Sequence, residues 1–150
     1  KKILYCLVLA VMLTACGGGS KQAPKKVGDI ITVNGAEGVV FEVDADGQHG
    51  KVMSVSTTKC TWGKAKVWSS RYGNGWRLPN KSELIMIYKN KDILTSALSA
   101  NGYLKLGNAT GCWAQEEYNS DCAWYVSMYD GGTYIDSKNY STCVRAVSAF

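Results

Sequence analysis

The sequence predicts an α+β domain carried behind an export and lipid-attachment leader. Two observations predict the fold class. Short β-type runs separated by turn signals fill residues 27–58 and again 112–147, while the stretch between them, 61–100, carries helical periodicity and cap residues. Strands, then helices, then strands in about 120 residues build segregated layers around one core, not a doubly wound sheet.

The leader comes first. Lys1 and Lys2 form a positive start, and Ile3 to Leu13 is an apolar run. That run is shorter than the roughly 20 residues a transmembrane helix needs and has the length of a signal-peptide core. Leu13-Thr14-Ala15-Cys16 is similar to the bacterial lipobox, in which small residues enter the peptidase cleft and the cysteine thiol accepts a diacylglycerol. The expectation is a signal peptide over 1–15, a lipidated flexible tether over 16–26, rich in Gly, Ser and Lys, and one globular domain over 27–150. Acylated Cys16 would hold the chain on membrane lipid in the cell envelope. The absence of aspartate after Cys16 points to the outer membrane and leaves the periplasmic and surface faces both open.

Within the domain, the runs 27–33, 38–43 and 50–56 read as a meander of three strands. They are separated by the Asn34-Gly35 turn and by Asp44-Ala45-Asp46-Gly47. Thr61 is the expected N-cap of a helix whose apolar stripe is Trp62, Ala65 and either Trp68 or Val67. Asn80 followed by Glu83 reads as a capping box opening a second helix whose buried face is Leu84, Ile87 and Tyr88, with Ile85 a further candidate, and which runs to about Lys89. Residues 92–100 give a further helical turn. Strands follow at 112–116, 123–128, 133–136 and 142–147, with a polar turn at 118–121 and the Asp130-Gly131-Gly132 turn between them.

Composition narrows the partners. Without Lys1 and Lys2, 15 basic side chains face 12 acidic ones, a net charge of +3 that is too mild and dispersed for nucleic acid. Four cysteines remain after the leader: Cys60, Cys112, Cys122 and Cys143. An even count in an exported chain reads as two disulfides in one of three pairings. Zinc is disfavoured, since no pair has C-x2-C or C-x4-C spacing and the single histidine is His49.

Gly75-Trp76-Arg77-Leu78-Pro79-Asn80-Lys81-Ser82-Glu83-Leu84 resembles the GWRLPTxxEL segment of the DUF1566 family, the C-terminal domain of a Legionella collagen-like adhesin. Cys112 to Glu116 resembles the family's YWSST/SE segment, and Ala123 to Val126 followed by Cys143 to Val147 resembles its AWYV…YVRAVR ending. The likeness covers about Lys59 to Phe150, and the strands of 38–56 are similar to an N-terminal extension of related gut-bacterial lipoproteins. It implies a C-type-lectin-like fold, with two helices beside a twisted, mostly antiparallel sheet whose ends pair, preceded by the β meander. Trp76, Arg77, Leu78, Pro79, Glu83 and Arg145 form its structural signature, with Trp76 and Leu78 in the core. Arg77 is expected to bond backbone carbonyls or a carboxylate such as Glu83, and Arg145 to pair with a carboxylate. Cys112 and Cys143 stand where the family has aromatics and Cys122 where it has Asn. The pairing expected on this basis is Cys60–Cys143 and Cys112–Cys122.

In lectin-like folds the sheet loops bind ligand, which nominates Gln115, Glu116, Tyr118, Asn119, Asp121, Trp124 and Asp130. Aromatic faces stack on sugars, amides and carboxylates bond hydroxyls, and clustered carboxylates could hold Ca²⁺. The calcium-sugar motifs of true C-type lectins are absent, and no other cofactor is expected. The reading is a non-catalytic envelope module for adhesion or for binding a glycan, an envelope protein or a host protein. The alternative is a small envelope enzyme related to the formylglycine-generating enzymes, whose RLPTEAEWE segment is loosely similar to 77–84.

Overall fold

The computed structural model describes residues 22–107 and 111–150; the expected signal peptide and Cys16 lie outside the described residues. The chain is α+β, with nine strands and three helices among the described residues. The strands are β1 (Ile30–Val33), β2 (Ala36–Val43), β3 (Gly50–Ser54), β4 (Thr58–Cys60), β5 (Gly111–Glu117), β6 (Cys122–Ser127), β7 (Thr133–Ser137), β8 (Thr142–Val144) and β9 (Val147–Ala149). Between β4 and β5 lie α1 (Trp62–Tyr72), α2 (Lys81–Lys89) and α3 (Lys91–Ala100). No helix among the described residues is long and apolar enough to cross a membrane.

The expected meander is present. Asn34 and Gly35, both at positive φ, close the two-residue turn between β1 and β2. The sheet, however, is two sheets. The first has the order β1-β2-β3-β9 and the second β4-β8-β5-β6-β7. All pairings are antiparallel except β5 with β8. The run 142–147, read as one strand, divides: Val144 ends β8 in the second sheet and Val147 begins β9 in the first. The N-terminal half makes the same passage, from β3 to the three-residue β4, which the sequence reading missed. Two antiparallel segments of chain thus cross between the sheets side by side. The pairing of the two ends of the domain consists of β3 with β9 and β4 with β8.

The main core lies between the sheets under α2 and α3 and includes Val39, Phe41, Met53, Leu84, Leu94, Leu98 and Val126. A second cluster joins Trp62 and Ala65 of α1 to Leu78, Trp113 and Val144. A third covers the outer face of the first sheet with Trp76 on Val33, Val40 and Val52. Each buried indole N–H has an acceptor, as burial demands: Trp62 donates to the Ala114 carbonyl, Trp113 to Cys60 and Trp76 to Val33. Gly38 makes room for Trp76, since a Cβ there would stand 2.8 Å from the indole. The tail of the expected tether lies against the domain: the Lys25 N–H donates to the Gly47 carbonyl at 2.8 Å.

Thr61 occupies the N-cap of α1 but makes no side-chain cap bond. Asn80 and Glu83 form the full reciprocal capping box of α2. Glu83, 3% exposed, also receives both terminal nitrogens of Arg77, at 2.8 and 2.7 Å. Burial pushes the Glu83 carboxyl up. The Arg77 bonds, the Asn80 N–H and the charges of Arg77 and Lys51 outweigh burial and hold it below the usual carboxylate range. A depressed folded-state value contributes stability that is present above the unfolded value of about 4.3 and is lost as pH falls through the folded one. E83Q is expected to cost about 2–3 kcal/mol at pH 7 and to flatten the loss of stability on acidification. Denaturant titrations at pH 7 and pH 3 check this: the two chains should differ at pH 7, and the difference should narrow at pH 3.

Candidate functional site

The segment Trp76 to Pro79 joins the two sheets. Arg77 exchanges both backbone hydrogen bonds with Val147 of β9, at 3.0 and 2.8 Å, and the Pro79 carbonyl accepts from Gln115 of β5 at 2.8 Å. Trp76 and Leu78 are each 3% exposed. Pro79 fixes φ and holds Leu78 extended, so the chain can pair sideways before Asn80 opens α2. Glu116 of β5 adds its carboxylate to the free Lys81 N–H at the start of that helix, where negative charge is favoured.

Arg145 sits at the crossing. It is 1% exposed. Its guanidinium donates to the Ser54 and Val55 carbonyls at 3.0 and 2.8 Å and to Leu104 at 2.7 Å, with a longer contact to Lys105. No carboxylate pairs with it among the described residues, so the expected acidic partner is replaced by backbone oxygens. Its Nε has no hydrogen-bond partner among the described residues. Burial pushes Arg145 down from its ordinary value, and the nearby Cys143 and Cys112 sulfurs act in the opposite sense.

Two hollows flank the junction of β8 with β5, and both are lined by Lys59 and Cys143. One, of about 240 Å³, is mostly apolar and is bounded by Thr57, Leu104, Leu106 and Arg145. The other, of about 210 Å³, is mostly polar and is bounded by Gly111, Tyr125, Asp136, Ser141 and Thr142. Tyr125 stacks on Tyr134 across the β6–β7 pair, with ring centroids 5.7 Å apart and an interplanar angle of 28°. Tyr134 is 44% exposed and donates to Asp130 at 2.8 Å.

The family model of the Lcl C-terminal domain matches residues 34–148. The chain belongs to the Lcl C-terminal domain family. That family is named for the C-terminal domain of the Legionella collagen-like protein, and the match agrees with the resemblance carried by Trp76 to Pro79 and Arg145. No curated protein matches the chain.

In this Lcl C-terminal domain the nominated ligand residues separate. Gln115, Glu116, Tyr118, Asn119, Asp121 and Trp124 lie toward the β5–β6 turn, whereas Asp130 lies in the β6–β7 turn at the opposite end of β6. Much of the set serves local structure. Asn119 Oδ1 accepts from the N–H groups of Asp121 and Cys122. Lys138 clamps the turn through Glu117 and the carbonyls of Asn119 and Ser120. Trp124 lies under the Lys81 ammonium, 4.1 Å from the ring centroid, and meets Tyr118 edge-on. Among the described residues no three His, Cys, Asp or Glu side chains converge for a metal. Tyr134, Asp136, Ser141 and Thr142 were missed. The signal available was the hairpin register about Asp130-Gly131-Gly132, which sets Tyr134 opposite Tyr125.

The expected cysteine pairing needs correction. Cys60 stands opposite Thr142, and Cys143 opposite Lys59, so Cys60 and Cys143 point to opposite faces of the β4–β8 pair. Cys112 stands opposite Val126, four residues along β6 from Cys122, about 13 Å away and beyond disulfide reach. None of the four is bonded to another cysteine among the described residues.

Gly111 makes room for Tyr125: a Cβ there would overlap the tyrosine ring. G111A is expected to push the ring off Tyr134 and to cost about 1–3 kcal/mol. Urea unfolding checks this, and the cost should shrink in the G111A/Y125A double variant, where the obstacle is gone.

Proposed function

We propose that this Lcl C-terminal domain is a non-catalytic, adhesin-related binding module, anchored to the cell envelope through Cys16, whose ligand is a glycan received at the Tyr125–Tyr134 face. The observation that carries the reading is the stacked tyrosine pair bordering the polar hollow. A sugar's C–H face stacks on an exposed ring, and its hydroxyls find Asp136, Ser141 and Thr142 beside it. An oxygen-coordinated Ca²⁺ is the one ion for which the reading leaves a place.

A protein partner is the second reading. Of the exposed large apolar side chains, Tyr118, Tyr129, Tyr134, Ile135 and Tyr140 all lie on the second sheet or its turns. Tyr118 and Tyr140 lie at one end of that sheet and Tyr129 at the other, and exposed tyrosines are enriched at interfaces. Catalysis has less support: His49 lies in the β2–β3 turn, with its backbone N–H bonded to Asp44, on the first sheet and away from the hollows.

The test is glycan-array binding by the full chain in detergent, with calcium and with chelator. Selective binding is expected, and Y134A should weaken it about fivefold to tenfold with the melting temperature unchanged. Absence of binding in both conditions overturns the glycan reading in favour of a protein partner.

A further inference from the structure

The parallel register of β5 and β8 makes Cys112 and Cys143 direct partners across the ladder. Neighbouring strands lie about 4.8 Å apart, inside the roughly 4.4–6.8 Å separation of Cα atoms that a disulfide spans. Residues directly opposite in a ladder also point to the same face, so both sulfurs lie on the core side of the second sheet. The two differ in access. Cys112 is 1% exposed, whereas Cys143 is partly exposed and lines both hollows. They differ in charge as well. The Cys112 thiol bonds the Cys143 sulfur and holds it down to about 6 against burial, helped by Arg145 and Lys59, while Cys112 is pushed well up. Arg145, which has no carboxylate partner among the described residues, gains an anion there when Cys143 is a thiolate.

We propose that Cys112 and Cys143 form a redox-active pair in which Cys143 is the entry thiol and buried Cys112 the resolving thiol, closing to a disulfide that joins β5 to β8. The oxidant is a small disulfide, RSSR. The Cys143 thiolate attacks one of its sulfurs, forming the mixed disulfide Cys143–S–S–R and expelling RS⁻. Cys112 then attacks the Cys143 sulfur, expels the second RS⁻ and gives up its proton to it. The two protein thiols lose two electrons and two protons, and RSSR takes up both to leave as two RSH. Cys60 and Cys122 take no part, because neither faces another cysteine across its ladder. The inference is independent of the ligand at the tyrosine face.

The test uses the full chain, reduced, exposed to glutathione disulfide, trapped by alkylation in denaturant and mapped by mass spectrometry. The expected result is one linked peptide pair, Cys112–Cys143, with Cys60 and Cys122 alkylated. In C112S the glutathione adduct should persist on Cys143, and in C143S Cys112 should remain unmodified. Alkylation of both Cys112 and Cys143 after oxidation, or a linkage involving Cys60 or Cys122, would overturn the pair. An adduct on Cys112 in C143S would overturn the order of attack. The mapping of the unaltered chain decides the pair even if either variant fails to fold.

Discussion

The buried guanidinium of Arg145 is the constraint on which the two-sheet arrangement turns. The chain leaves one sheet for the other twice, at 55–57 and at 145–146. A strand that ends at a crossing leaves carbonyls without ladder partners, and burying them unpaired costs about 1–3 kcal/mol each. Arg145 lies on one crossing and donates to Ser54 and Val55 on the other, and it also fastens the segment after α3 through Leu104. Ser54 completes the joint: its N–H donates to the Ala146 carbonyl and its hydroxyl accepts from the Ala146 N–H. Lysine, with one nitrogen in place of the two terminal nitrogens of Arg145, could not reach carbonyls on both stretches of chain.

From that joint the rest follows outward. β9 enters the first sheet in register with β3 on one side and offers Val147 to Arg77 on the other. Arg77 brings with it Pro79 and the capped start of α2, and α2 covers the main core. On the second sheet, β8 is held beside β5, and this places Cys143 against Cys112 and opens the two hollows at the junction. The tyrosine face lies one strand further out, on a hairpin that takes no part in the crossing. The arrangement separates a rigid joint from the surface proposed to meet a ligand, the usual relation of scaffold to binding site.

Features set by neighbours in sequence were legible; those set by distant partners were not. The Asn34-Gly35 turn, the Asn80–Glu83 capping box and the burial of Leu84 and Ile87 depend on residues within a few positions, and each stands as read. The Arg77–Glu83 pair was legible for the same reason. β4 is three residues long with an exposed centre, too short for an alternation to show. The run 142–147 is apolar enough to read as one strand, and nothing local reveals that Arg145 breaks it. The pairing of Cys112 with Cys143 rests on a parallel register between strands 25 residues or more apart, and the acidic partner expected for Arg145 was replaced by carbonyls that only the fold assembles. The nominated ligand set failed to converge because adjacent turns of a meander alternate between opposite ends of the sheet.

Native-state amide hydrogen exchange on R145M beside the unaltered chain tests the joint most directly. The account predicts that protection falls together at the Ser54, Arg77 and Ala146 amides while the Tyr125 amide and the rest of the β6–β7 hairpin keep theirs. Unchanged protection at both crossings, or an equal loss through both sheets, would contradict it.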